Sequence, residues 1–132
     1  MAETFQFDLV SPERLIFSEQ VEQVVVPGSE GEFTALPRHA PLMTNLRPGV
    51  LRVKPANGPE ARIFVFGGFA EVNPTSITVL AEEAIPVEDL KIEQIDAVIR
   101  DAEEDVADAK TDPVRIRSQA RLDHLTAIRA AF

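Results

Sequence analysis

The residues able to do chemistry are few. Cysteine is absent, which removes disulfides, thiolate metal ligands and thiol nucleophiles together. His39 and His124 are the only histidines, too few for a three-histidine metal centre, so carboxylates would have to supply the missing ligands. The stretch Gly28-Ser29-Glu30-Gly31-Glu32-Phe33 has the glycines of a phosphate-cradling loop. It lacks the lysine and the following helix that such a loop needs, and its two glutamates repel phosphate, so it reads as a turn between strands. Ser29 has no histidine close in sequence and no G-x-S-x-G elbow around it, which leaves acyl transfer without support. His39 lies in Pro37-Arg38-His39-Ala40-Pro41, a proline-bracketed segment with no second titrating group in view. A hydrogen-bonded structural role is favoured there over a catalytic base. Carboxylates are plentiful but occur in acidic runs, without the defined pair that glycoside hydrolysis uses. No catalytic, cofactor-binding or metal-binding constellation follows from these residues.

Bulk properties narrow the partners. Thirteen Lys+Arg against 22 Asp+Glu give a net charge of −9, which repels phosphate backbones and anionic lipid. Tyr and Trp are absent, so nothing beyond eight Phe could stack bases, and nucleic acid is excluded as a partner class. A length of 132 residues suits one compact domain, or one small domain with an appendage. No apolar run approaches the roughly 20 residues of a membrane helix. The start, Met1-Ala2-Glu3-Thr4-Phe5-Gln6-Phe7-Asp8, lacks a basic, apolar secretion signal, and a cytosolic protein of bacterial type is expected.

Two hydrophobic periods divide the chain. From Thr4 to about Pro86 the pattern is short and strand-like, beginning with Phe5, Phe7 and Leu9 alternating against Gln6, Asp8 and Val10. Runs rich in Val, Ile and Phe follow at 21–26, 49–54, 62–66, 69–72 and 76–81. Turn chemistry at Pro27-Gly28-Ser29, Pro55-Ala56-Asn57-Gly58-Pro59, Gly67-Gly68 and Asn73-Pro74-Thr75-Ser76 separates them. Short strands with no helix between them predict an antiparallel sandwich or barrel over residues 1–86.

After Pro86, Ile92, Ile95, Ile99, Ala102, Val106 and Ala109 recur at helical spacing, and residues 87–132 read as a two-helix hairpin. The helices are expected at about 88–110 and 113–131. Asp112 would be the N-cap with Pro113 at the first helical position, and Val114, Ala120, Leu125, Ile128 and Phe132 would face the partner helix. A short link makes the helices antiparallel. Residues 88–110 hold nine acids against three bases, whereas 113–132 hold Arg115, Arg117, Arg121 and Arg129 against Asp123 alone. By charge alone, a solvated face with interhelical ion pairs is favoured over recruitment of an acidic partner.

A series of short strings, in order, is more specific than any one of them. Val10-Ser11-Pro12-Glu13, Phe17-Ser18, Gly28-Ser29-Glu30-Gly31-Glu32, His39-Ala40-Pro41-Leu42, Arg47-Pro48-Gly49, Gly67-Gly68, Glu71-Val72 and Thr78-Val79-Leu80-Ala81 resemble the landmarks of the epsilon subunit of the bacterial F-type rotary ATP synthase. The likeness runs from about residue 5 to residue 85, and the hairpin has the place and length of that family's C-terminal part. Thr34 and Arg38 depart from it, standing where relatives generally carry glycine or another small residue.

The resemblance implies a mainly β protein: an N-terminal sandwich of about ten strands followed by the helical hairpin. It also implies a non-catalytic central-stalk subunit. Such a subunit clamps the gamma shaft, sits on the c-ring and couples proton translocation to ATP synthesis by other chains. It would be peripheral, on the cytoplasmic face of the bacterial inner membrane. Glu32, with Glu30 beside it, would face polar loops of the ring, and His39 is a further interface candidate. Arg115, Arg117, Arg121 and Arg129 fall where the hairpin can meet an acidic loop of the catalytic beta subunits, a route to regulating ATP hydrolysis. Some relatives bind ATP through an Ile/Leu-Asp-x-x-Arg-Ala motif. Here that motif falls on Leu90, Lys91, Gln94 and Ile95, which keep neither its aspartate nor its arginine, so no cofactor is expected. The competing reading is a free-standing sandwich module for an anionic or sugar ligand, with the hairpin as a dimerisation arm. A cupin-like oxygenase is the weakest option, since only His39 lies in the sandwich half.

Overall fold

A computed structural model describes residues 3–130 of the chain. It divides into two compact units, residues 1–87 and 88–132. The first contains seven strands: β1 (Phe5–Ser11), β2 (Arg14–Gly28), β3 (Gly31–Ala35), β4 (Leu42–Asn45), β5 (Gly49–Pro55), β6 (Ala61–Asn73) and β7 (Ser76–Pro86). The second contains a 3-10 turn (Val87–Asp89) and helices α1 (Ile92–Asp108) and α2 (Asp112–Ala130).

The alternation in β1 does what its period requires: Phe5, Phe7 and Leu9 are buried, and Gln6, Asp8 and Val10 are half-buried. Gly49, Leu51, Val53 and Pro55 of β5 are buried in the same way, with Arg52 and Lys54 outward. Phe5, Phe7, Leu9, Leu51 and Val53 join Val24, Val26, Val65, Ala70, Val72, Ile77, Val79 and Ala81 in one core, against which Phe17 packs, 5.6 Å from Phe7 between ring centroids. Removing this apolar surface from water is the main force holding the unit together. The outward side of β1 and β2 carries a polar ladder. Ser18 Oγ and Gln6 Nε2 donate to Asp8 Oδ1 at 2.6 and 2.9 Å, and these bonds hold the Asp8 carboxyl below its ordinary pKa.

The strand count departs from about ten because three strands are long, and two of them change partners along their length. β2 pairs with β1 through its first half and with β5 and β3 through its second. β6 pairs with β5 and then with β4, while β7 follows it throughout. Gly67-Gly68 therefore does not end a strand. Both residues have positive φ, +71° and +113°, and the chain bends there while the pairing with β7 continues from Phe66↔Glu83 to Gly68↔Ala81. Nor is the pairing wholly antiparallel, since β1 runs parallel to β7. β1 also pairs with β2, so the order β1-β7-β6-β5-β2 closes on itself. Closure leaves β3 and β4 as edges, each paired along one side only.

Leu36–His39 is a tight turn, closed by His39 N–H donating to the Leu36 carbonyl at 3.1 Å. Pro37 suits its second position, and the third, Arg38, has φ +69°. Glycine is the residue for that position, because a side chain there strains the backbone. Arg38 Nη2 compensates only with an exposed ion pair to Glu3 Oε1 at 2.5 Å. Arg38→Gly is expected to stabilise the sandwich by about 0.5–1 kcal/mol, the relief of strain outweighing the added freedom of the unfolded chain. A lower urea midpoint for the variant than for the parent would refute this.

In the second unit, α1 starts at Ile92 rather than near residue 88, because Val87–Asp89 winds as a 3-10 turn. It ends at Asp108 rather than 110. Ile95 and Ala102 are buried and Ile99, Val106 and Ala109 half-buried, while Ile92 is exposed. Thr111, not Asp112, caps α2: its Oγ1 accepts the Val114 N–H at 3.4 Å, and Asp112 is already helical. Ala120 is exposed, against expectation. The inward stripe of α2 is Ser118, Arg121, Leu122, Leu125 and Ile128, and Ala120 lies five residues from Leu125, about 140° around the helix. Val114 is also exposed; Phe132 lies outside the described residues.

Candidate functional site

The feature of the sandwich that can act on a partner is one end of it, where β4 meets the β2–β3 turn. Gly28 bridges Leu46, Ser29 N–H donates to the Asn45 carbonyl at 2.8 Å, and Arg47 N–H donates to the Pro27 carbonyl at 3.0 Å. These bonds pin the turn bearing Glu30 and Glu32 against the edge strand. On that edge Met43 is 65% exposed and Leu42 40%, and Phe69 of the neighbouring β6 is 36% exposed. Met43, Thr44, Asn45 and Phe69 line a shallow groove of about 390 Å³. An exposed thioether and phenyl ring form an apolar surface, and Thr44 and Asn45 of its lining meet Ser29 of the acidic turn, the make-up of a protein-binding surface.

Sequence reasoning missed this groove. Phe69 carried the signal, since Ala70 and Val72 point inward and so place Phe69 on the outward phase, where an aromatic is out of pattern. The two acids differ in their surroundings. Arg52 Nη2 lies 3.6 Å from Glu32 Oε1, with both side chains about half exposed, whereas Glu30 has no ion-pair partner among the described residues. His39 is half-buried, its Nδ1 2.7 Å from the Ala40 carbonyl and its ring 6.1 Å from that of Phe33. These contacts give it a local structural role. Among the described residues the Ser29 hydroxyl has only that of Thr44 beside it, at 3.4 Å.

The hairpin arginines fall into two groups. Arg115 Nη1 bonds Asp112 Oδ1 on its own helix at 2.9 Å, and Arg129 Nε bonds Asp96 Oδ1 of α1 at 2.9 Å. Arg117 and Arg121 have no ion-pair partner among the described residues; Arg117 is exposed and Arg121 half-buried. Ile116, between Arg115 and Arg117, is 69% exposed.

The degenerate nucleotide motif sits at the start of α1. Leu90 is half-buried, Lys91 is the N-cap residue, and the Lys91 N–H donates to Gln94 Oε1 at 2.8 Å. That is one half of a capping box. The other half is missing because an ammonium group has no lone pair with which to accept a backbone N–H. Ile95, at the motif's alanine position, is fully buried. These four residues therefore start and pack a helix.

Residues 4–87 match the family described as ATP synthase, Delta/Epsilon chain, beta-sandwich domain. The "ATP synthase epsilon chain" of Mesorhizobium japonicum is 51% identical over 132 residues, covering 100% of this chain and 98% of that one. The chain belongs to the ATP synthase epsilon chain family. The epsilon chain of Parvibaculum lavamentivorans is 53% identical over 98% of each chain. Among solved structures, a chain of the Euglena gracilis mitochondrial ATP synthase, from a complex of OSCP, F1 and c-ring, superposes with a TM-score of 0.73 at 25% identity. The match covers 97% of this chain and 81% of that one. A chain from the central stalk and c-ring of the Tetrahymena thermophila enzyme shares the fold, with a TM-score of 0.69 at 11% identity. An epsilon chain is a subunit of ATP synthase and not its catalytic chain. The full-length match removes the footing of a free-standing module with a dimerisation arm, since sandwich and hairpin occur together in the epsilon chains. Among the described residues, no helix is long and apolar enough to cross a membrane.

Proposed function

We propose that this chain is the rotor subunit that ties the gamma shaft to the c-ring, so that proton translocation drives ATP synthesis in the catalytic chains. It would lie at the cytoplasmic face of the bacterial inner membrane, held there through the complex. The observation that carries the assignment of surfaces is the Met43–Phe69 groove, whose lining residues Thr44 and Asn45 meet Ser29, next to Glu30 in the β2–β3 turn. The apolar groove suits the side of a shaft helix, and the acidic turn suits the polar loops of the ring. The test is reconstitution with gamma and with a gamma–c-ring subcomplex. Met43→Glu should weaken binding to gamma about 30-fold or more, the loss expected when a charge is placed at the centre of an apolar contact. Glu30→Ala should have a far smaller effect, confined to binding of the ring, because a rim charge is worth little. Unchanged retention of the Met43→Glu variant on gamma would remove the groove from the interface.

Two hairpin readings belong to the same proposal. The arginine face offered to an acidic beta-subunit loop reduces to Arg117 and Arg121, because Arg115 and Arg129 already have carboxylate partners. Any restraint of hydrolysis by the full chain, relative to a chain stopped after Glu88, should weaken with salt and with alanine at those two positions. The hairpin should also not bind nucleotide. Lys91 and Gln94 stand in place of the motif's aspartate and arginine, and Glu103, Glu104 and Asp105 add negative charge to α1. Titration of the subunit with MgATP should give no saturable heat at millimolar nucleotide; a micromolar dissociation constant would reinstate a sensor.

A further inference from the structure

The two helices of the hairpin carry many opposite charges, yet among the described residues one ion pair alone joins them. Arg129 Nε donates to Asp96 Oδ1 at 2.9 Å across 33 positions of sequence. α1 offers six other carboxylates between Glu93 and Asp108, and α2 three other arginines, without another interhelical pair among the described residues.

The pair stands at a particular place. Asp96 is in the first turns of α1 and Arg129 is next to last in α2, so it closes the end of the hairpin opposite the connecting turn at 109–111. That turn holds one end covalently, and nothing covalent holds the other. Asp96 directly follows fully buried Ile95, and Arg129 lies one helical turn after fully buried Leu125. The Asp96 and Arg129 side chains are 44% and 36% exposed, so water reaches the charges.

We propose that Asp96 and Arg129 are the latch of this hairpin, positioning residues that set how often the last turns of α2 lift from α1. Each charge also favours its own helix end, the carboxylate near the N-terminus of α1 and the guanidinium at the C-terminus of α2. A charge swap is therefore uninformative, because it would oppose both helix dipoles. A double-mutant cycle separates the two effects, since a dipole interaction of Arg129 survives the loss of Asp96 and a latch does not.

The experiment is amide hydrogen exchange on the full-length chain for Asp96→Asn, Arg129→Gln and the double variant. Both single variants should speed exchange at residues 125–130 by about two- to fivefold, the scale of a partly exposed pair, and leave residues 115–118 and the sandwich unchanged. The double variant should fall well short of the product of the two single effects, exceeding either one only by what the other charge contributes at its own helix end, and Arg129→Lys should restore part of the protection. Additive single effects would assign both residues to their helix dipoles and overturn the latch, as would exchange unchanged in the single variants.

Discussion

Gly68→Ala is expected to destabilise the sandwich by about 4 kcal/mol or more, enough to consume much of the stability of a small domain. Two costs add there. The residue has φ +113°, which side chains rarely adopt, and a Cβ would lie 1.9 Å from the Leu80 carbonyl oxygen of the adjacent strand. That oxygen belongs to the backbone of β7, so it cannot rotate away; β6 and β7 would have to part where β6 bends. Gly58→Ala is the control. Its φ is +104°, but no atom lies within 4 Å of the added Cβ, so it bears the conformational strain without the collision and should cost about 1–2 kcal/mol. Urea unfolding of the two variants side by side reads the difference. If they fall within about 1 kcal/mol of each other, the close approach of β6 and β7 is not what demands glycine at this position.

Leu125→Ala should melt the hairpin and leave the sandwich folded. Among the described residues of the second unit, Leu125 is one of three that are buried, with Ile95 and Ala102. Truncating a buried leucine costs about 2–5 kcal/mol, more than a two-helix unit with so small a seam can lose. The core cluster of the first unit is drawn from residues between Phe5 and Ala81. The expected result is loss of most of the helical circular dichroism with the denaturant transition of the strands retained. A fragment of residues 1–86 should likewise fold alone. An unfolded fragment, or a Leu125→Ala chain that loses both signals together, would show that the two units fold as one.

The sequence by itself determined the change of hydrophobic period near Pro86, the inward face of β1 and β5, the seam of α1 and the membership of the family. Each is a local property: a hydrophobic period of two or of 3.6 states which side of an element avoids water, and ordered strings of residues state ancestry. Partners and path were decided only in three dimensions. The parallel pairing of Gln6–Val10 with Ser76–Leu80 joins segments some 70 residues apart, and no period within either segment encodes its neighbour. Gly67-Gly68 permits a turn or a bend equally well, and continued pairing with β7 selects the bend. Ala120 suits a close helix contact by its size, yet the register set by Leu125 turns it to solvent. The groove at Met43 and Phe69 arises where β4 pairs with β6 along one side and is left as an edge on the other. Arg129 and Arg117 are the same residue type on one helix, and only the proximity of Asp96 separates a latch from a free charge. In each case the deciding quantity was the distance between groups remote in sequence, which depends on the packing of the whole unit rather than on any segment of it.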